Sequence, residues 1–167
     1  LTAGNQLHES TKMGPMIRES DAARVGSWIE EAVGSGARLL AGGQREGSLL
    51  QASLLADVTP EMRISREEVF GPAVGVARAG DIDEAIRLAN DSRYGLSAAI
   101  FTQNIDWALK FAQEVESGNI HVNWGPQWRA DLMPYGGLKE SGLGKEGPRY
   151  AIQEMTESKS VVIHPGF

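Results

Sequence analysis

Between Pro72 and Asn123 short apolar runs alternate with amphipathic stretches, and few folds accept that order. Residues 73–77 read as a strand. Asp81, with Glu84 three residues on, opens a helix whose Ile82, Ala85, Ile86 and Ala89 share one face. Residues 97–101 form a second strand. Asn104 then caps a helix carrying Ile105, Ala108, Leu109, Ala112 and Val115, Gly118 stops it, and 119–122 form a third strand. This β-α-β-α-β order predicts an α/β protein with a parallel sheet and right-handed crossovers, because the apolar faces of such strands need helices to cover them.

The flanking segments are less regular. Residues 1–18 carry Gly4, Gly14 and Pro15 without a clean period and read as an extended loop. Ser20 is positioned to cap a helix over 21–33, where Ala22, Val25, Ile29, Ala32 and Val33 recur at helical spacing before Gly34 and Gly36. Runs at 37–41 and 51–58, bounded by turn residues, read as strands. After Asn123 a loop rich in Gly, Pro and Trp extends to Gly147. Pro148, at a first helical turn, then introduces a last helix with Tyr150, Ala151, Ile152 and Met155, and 159–164 read as a terminal strand without a local partner. An unpaired strand edge invites pairing with another chain.

Composition removes several function classes. A net charge of -6 without any basic run argues against nucleic acid and against anionic membrane surfaces, both of which need clustered Lys and Arg. No apolar stretch approaches the roughly twenty residues of a membrane-spanning helix, and the polar start with His8, Glu9 and Lys12 is unlike a signal peptide, so a cytoplasmic location is expected. The 167 residues include no cysteine, which rules out disulfides, thiolate metal sites and thiol nucleophiles within this chain. His8, His121 and His164 lack paired ligand spacing, so no metal is expected. Ser117 and Ser141 lack the G-x-S-x-G elbow of serine hydrolases. Gly142 to Gly147 fits G-x-G-x-x-G but follows a loop rather than a strand, which denies it the context of a dinucleotide fingerprint.

Two segments carry the chemistry. Glu67-Glu68-Val69-Phe70-Gly71-Pro72 sets two carboxylates and an aromatic before a rigid Gly-Pro turn that feeds a strand. A carboxylate there can accept hydrogen bonds from vicinal ribose hydroxyls and the aromatic can pack on a flat ring; alternatively the segment is a turn with solvated glutamates. The second segment runs from Pro134-Tyr135-Gly136-Gly137 through Lys139, Ser141-Gly142 and Lys145-Glu146-Gly147, where paired glycines permit close backbone approach. The preceding loop, Trp124 to Met133, contains Trp128 and Arg129. Arg129 suits an anionic substrate tail, since a guanidinium matches carboxylate or phosphate bidentately. An ion pair with Asp131 or another acidic neighbour is the competing use.

Together these segments, with Met13-Gly14-Pro15 and the closing 157–162, resemble the late motifs of the NAD(P)-dependent aldehyde dehydrogenase superfamily over nearly the whole chain. The resemblance implies part of a three-layer parallel-sheet catalytic domain over 1–156, its post-nucleophile portion, and a C-terminal oligomerisation strand over 157–167. It implies that Glu68 binds the nicotinamide ribose, that Phe70 contacts the nicotinamide side of NAD or NADP, and that Tyr135 lines the aldehyde tunnel; Glu67 carries no implied role. Trp128 and Arg129 fall in the loop that lines the substrate entrance in that family. The local pattern resembles members acting on small polar or acidic aldehydes. By the same resemblance the intact enzyme oxidises an aldehyde to a carboxylic acid through a cysteine thioester and assembles as a homo-oligomer, dimer or tetramer. Its cysteine and its water-activating glutamate are expected upstream of Leu1, so no catalytic residue is assigned within this chain. A start at Leu rather than Met fits an excised fragment, inactive alone. The alternative is a non-catalytic oligomerisation or interaction module on the same scaffold.

Overall fold

The computed structural model describes residues 1–166; Phe167, the last residue of the expected terminal strand, lies outside the described residues. The chain divides into two compact units at Asp81/Ile82.

In the first unit, 1–18 is a loop closed by a bridge between Ala3 and Met13. Helix α1 (Glu19–Gly34) starts earlier than its apolar period suggests, with Arg18 at the N-cap and no side-chain cap bond, so Ser20 lies inside the first turn instead of capping it. Glu19 and Asp21 there face the positive end of the helix dipole, which favours negative charge without a cap. The C-terminus is a Schellman motif: Gly36, at φ 105°, donates to Val33 O (3.0 Å), and Ala37 donates to Ala32 O (2.9 Å). The chain continues through β1 (Arg38–Ala41), a small hairpin of β2 (Arg45–Glu46) and β3 (Leu49–Leu50), then β4 (Ser53–Ala56), the single-turn α2 (Arg63–Arg66) and β5 (Ala73–Val76). In the sheet order β1-β4-β5, β1 runs antiparallel to β4, and β4 runs parallel to β5. Ala22, Val25, Ile29 and Ala32 of α1 pack with Leu50, Leu55, Val58, Met62 and Ile64. Alternate residues point the other way, and Leu54, Val74 and Val76 stay exposed.

In the second unit, α3 (Ile82–Asn90) leads to β6 (Tyr94–Gly95), β7 (Ser97–Ile100), α4 (Ile105–Glu114), β8 (Asn119–Val122), β9 (Leu138–Lys139) and α5 (Pro148–Met155). Asn104 caps α4 as its sequence suggests, its Oδ1 accepting from Asp106 N (2.9 Å) and Trp107 N (3.3 Å). β7 and β8 pair in parallel across α4, while β6 and β9 pair antiparallel. Of the three strands of the alternation, β7 and β8 pair in parallel as expected, whereas β5 takes its parallel partner from outside the alternation, β4, in the sheet of the first unit. The core here is small: Ile86, Phe111 and Val115, with Ile82, Ala98, Ile100 and Ile120 against them. Residues 157–166 form no strand within this chain, because among the described residues none pairs with them, and Val161, Val162 and Ile163 are exposed.

Candidate functional site

The Glu67–Pro72 loop is held at several points. Glu67 N donates to Arg63 O (2.9 Å), closing α2. Val69 turns inward onto the α1 core, and Arg24 Nη2 donates to its carbonyl at 2.8 Å while the Arg24 guanidinium stacks 4.6 Å over Trp28. A Cβ on Gly71 would sit 2.8 Å from a Val25 methyl, so only glycine lets the loop lie this close to α1. Ser53 N donates to Pro72 O at 2.8 Å, tying the exit to β4.

With Val69 anchored inward, Glu68 and Phe70 point out. Phe70 is 76% exposed and has a left-handed backbone at φ 42°. Burying a phenylalanine side chain stabilises by about 1.5–3 kcal/mol, and a non-glycine residue in this region costs about 1–3 kcal/mol. Phe70 forgoes the first and bears the second.

The other candidates belong to the second unit. Arg129 Nη1 pairs with Glu146 Oε2 at 2.9 Å, and its guanidinium lies 4.6 Å over the Tyr135 ring. The ion pair open to Arg129 is made, and the acidic neighbour is Glu146 rather than Asp131. Tyr135 and Glu146 also exchange backbone hydrogen bonds, Tyr135 N to Glu146 O at 3.2 Å and Glu146 N to Tyr135 O at 2.6 Å. Trp128 packs edge-on against His121, with ring centroids 6.2 Å apart, and the two line a cleft of about 430 Å³ with Ile120, Val122 and Trp124. His121 Nε2 is buried and has no hydrogen-bond partner among the described residues.

Backbone clearance and two lysines hold the glycine-rich segment. A Cβ on Gly118 would strike the carbonyl oxygen of Gly136, so β8 and the Gly136-Gly137 pair meet backbone to backbone. Lys145 Nζ donates to Gly136 O (2.9 Å) and Gly137 O (3.3 Å). Lys139 Nζ donates to Asn90 O (2.8 Å) and Ser92 O (3.0 Å) and pairs with Glu116 at 2.7 Å. Both lysines thus act as backbone clamps. Tyr135, Gly136, Lys145, Glu146 and Glu154 line a second cleft of about 350 Å³.

The structure brings Arg129 and Tyr135 together and sets Trp128 against His121. Glu146 and Arg24 were not singled out by sequence reasoning. Glu146 sits inside the quoted motif, but its pairing across seventeen positions has no local signal; Arg24, partly buried on α1, meets the Val69 carbonyl forty-five positions away and likewise has none. Among the described residues no cluster of His, Cys, Asp or Glu could hold a metal ion, and no helix is long and apolar enough to cross a membrane.

Residues 1–161 match the aldehyde dehydrogenase family model, and the chain belongs to that family. It is 48% identical over 164 residues to the 3-sulfolactaldehyde dehydrogenase of Priestia aryabhattai, an alignment covering 98% of this chain and 34% of that protein. The crystal structure of aldehyde dehydrogenase 21 from Physcomitrella patens, in complex with the reaction product succinate, superposes with a TM-score of 0.92 at 40% identity, covering 95% of this chain and 33% of that one. An aldehyde dehydrogenase of Mycobacterium tuberculosis complexed with NAD+ gives a TM-score of 0.89 at 32% identity, covering 100% and 35%. The chain therefore spans about a third of the length of the proteins it matches.

Proposed function

We propose that this chain is the C-terminal third of an NAD(P)-dependent aldehyde dehydrogenase acting on a small, polar or acidic aldehyde in the cytoplasm, with the nucleophilic cysteine and the water-activating glutamate supplied upstream. The exposed Phe70, held in a left-handed backbone beside Glu68, is the observation that carries this reading. These residues fit a nicotinamide nucleoside: the exposed Glu68 carboxylate accepts from two ribose hydroxyls, and the Phe70 ring offers an apolar face to the base. Bound there, the nicotinamide supplies a hydride acceptor. Choice between NAD and NADP belongs to residues outside this chain.

Tyr135, Trp128 and Arg129 line the aldehyde path in this reading. Arg129 favours an aldehyde with an anionic far end, in keeping with the sulfonated substrate in the name of the Priestia relative and the succinate bound in the Physcomitrella structure. Residues 157–167 form the terminal segment, separate from the catalytic portion 1–156, and pair as a strand with a second subunit in a homodimer or tetramer; the exposed, unpaired Val161 to Ile163 support this. The same observation supports the second reading, a non-catalytic oligomerisation module.

The test is kinetic. The isolated chain, incubated with NAD+ or NADP+ and a panel of aldehydes, is expected to form no NADH or NADPH above a protein-free blank, whereas the full-length protein carrying it turns over. Sustained turnover by the isolated chain overturns the assignment of the nucleophile upstream, and an inactive full-length protein favours the module.

A further inference from the structure

We infer that Arg24 is a positioning residue for the cofactor, locking the Val69–Phe70 peptide so that Phe70 keeps the pose that receives the nicotinamide; this rests on the aldehyde dehydrogenase reading of the whole protein. On α1, Arg24 and Trp28 stand four residues apart and share a face, which lays the guanidinium 4.6 Å over the indole. From there Nη2 donates to Val69 O at 2.8 Å, across forty-five positions of chain. Among the described residues this is the one hydrogen bond made to 68–70, and Arg24 forms no ion pair that would draw it elsewhere.

A charged donor makes the stronger kind of hydrogen bond, and here it falls on the atom that governs Phe70. The peptide between Val69 and Phe70 is planar, so turning the Val69 carbonyl over changes two angles only, ψ at Val69 and φ at Phe70. Phe70 sits at φ 42°, a strained value for a residue with a Cβ, and a flip of this peptide is the local route by which it relaxes to negative φ. That flip carries Val69 O away from Arg24. The apolar anchors do not oppose it, because a peptide flip leaves the flanking Cα atoms nearly in place. Val69 keeps its side chain on the α1 core, and Gly71 keeps its close approach to Val25. Arg24 thus acts through the loop, its guanidinium committed to the carbonyl and the indole. Once the peptide flips, the nicotinamide loses the apolar face of Phe70, while the adenosine half of the cofactor, which this loop does not bind, loses nothing.

The experiment uses the full-length protein carrying this chain and reads binding without turnover: fluorescence titration with the tighter of NADH and NADPH, and displacement of that dinucleotide by ADP. Arg24→Met keeps the stem over Trp28 and removes the donor. It is expected to raise the dinucleotide Kd about tenfold, the equivalent of about 1.4 kcal/mol, and to leave the Kd of ADP unchanged. Arg24→Lys, which still donates to a carbonyl, should restore part of the affinity. Arg24→Gln serves if the methionine variant is poorly folded. An unchanged dinucleotide Kd overturns the inference, and so does an equal rise for ADP, which would mean a general loss of structure or a direct contact with the phosphates. Glu68→Gln separates the inference from the reading beneath it. Where Glu68→Gln weakens dinucleotide binding and Arg24→Met does not, the inference alone fails; where neither does, or where the wild-type protein binds no dinucleotide, the functional reading fails and the inference with it.

Discussion

In the first unit, the loop carrying Glu68 and Phe70 hangs from apolar anchors: Val69 enters the core built around Val25, Leu50 and Leu55, and Gly71 abuts Val25. In the second, the segment carrying Arg129 and Tyr135 has almost no apolar anchor. The core there rests on Ile86, Phe111 and Val115, and α5 buries no residue. Backbone approach at Gly118, the Lys145 and Lys139 clamps and the Arg129–Glu146 pair hold it instead. Apolar packing tolerates loops whose sequence varies so long as one side chain fits, whereas carbonyl clamps and glycine clearances each demand a particular residue.

The largest expected effect comes from removing the first unit's anchor. Leu55, fully buried in β4, contributes packing that a smaller side chain leaves as a cavity, so Leu55→Ala should destabilise by about 2–5 kcal/mol. Urea denaturation followed by Trp28 fluorescence, with the other three tryptophans replaced by phenylalanine, measures it; a loss below about 1 kcal/mol would mean that apolar packing is not what holds this unit.

Gly118→Ala tests the second unit on its own terms. The added Cβ meets the Gly136 carbonyl oxygen, backbone that cannot rotate aside, and the expected cost is about 1–3 kcal/mol. Hydrogen exchange should show faster exchange at Tyr135 N and Glu146 N, which close the neighbouring bridge. Unaltered protection there would separate the glycine contact from the site.

Asn104→Ala removes one cap from α4 in the second unit and should cost about 1 kcal/mol. Where the core is this small, local loss should appear as fraying of α4 in helical circular dichroism. A midpoint shift without loss of helicity would instead indicate a cooperative second unit.

The smallest effect is electrostatic and belongs to the first unit. Asp57 Oδ2 accepts from Arg38 Nε at 2.6 Å, and this bond holds its carboxyl below the ordinary value of 3.8, with the charges of Arg38 and Arg78 acting in the same direction. A carboxyl depressed in the folded state contributes stability above its unfolded pKa and loses that contribution as pH falls through the folded value. The exposed pair makes the effect slight. Asp57→Asn should therefore lower the unfolding midpoint slightly at neutral pH and converge on the unsubstituted protein as pH falls below 3.8, which flattens the acid limb; a parallel shift at all pH values would exclude this titration.

The longer helices and the parallel strands were legible because their signals are local, unlike the single-turn α2: α4 begins at Asn104 and β5, β7 and β8 lie where apolar runs meet turn residues. The β2–β3 hairpin and the β6–β9 pair were not, since two-residue strands leave no period to read. Ser20 misled because a good capping side chain is only available, not obliged, to cap. Glu68, Phe70, Tyr135, Trp128 and Arg129 were legible as candidates through their motifs, but the partner of Arg129 was not.

The sequence by itself determined the family, the order of the longer helices and strands, and the lack of any thiol nucleophile in this chain, because motif spacing and composition need no third dimension. Only the tertiary structure decided that Phe70 stands exposed in a left-handed backbone, that the lysines of the glycine-rich segment clamp carbonyls, and that Arg129 rests between Tyr135 and Glu146. Each depends on which backbone atoms meet across long stretches of chain, and such meetings are set by packing and hydrogen-bond satisfaction rather than by neighbouring residues.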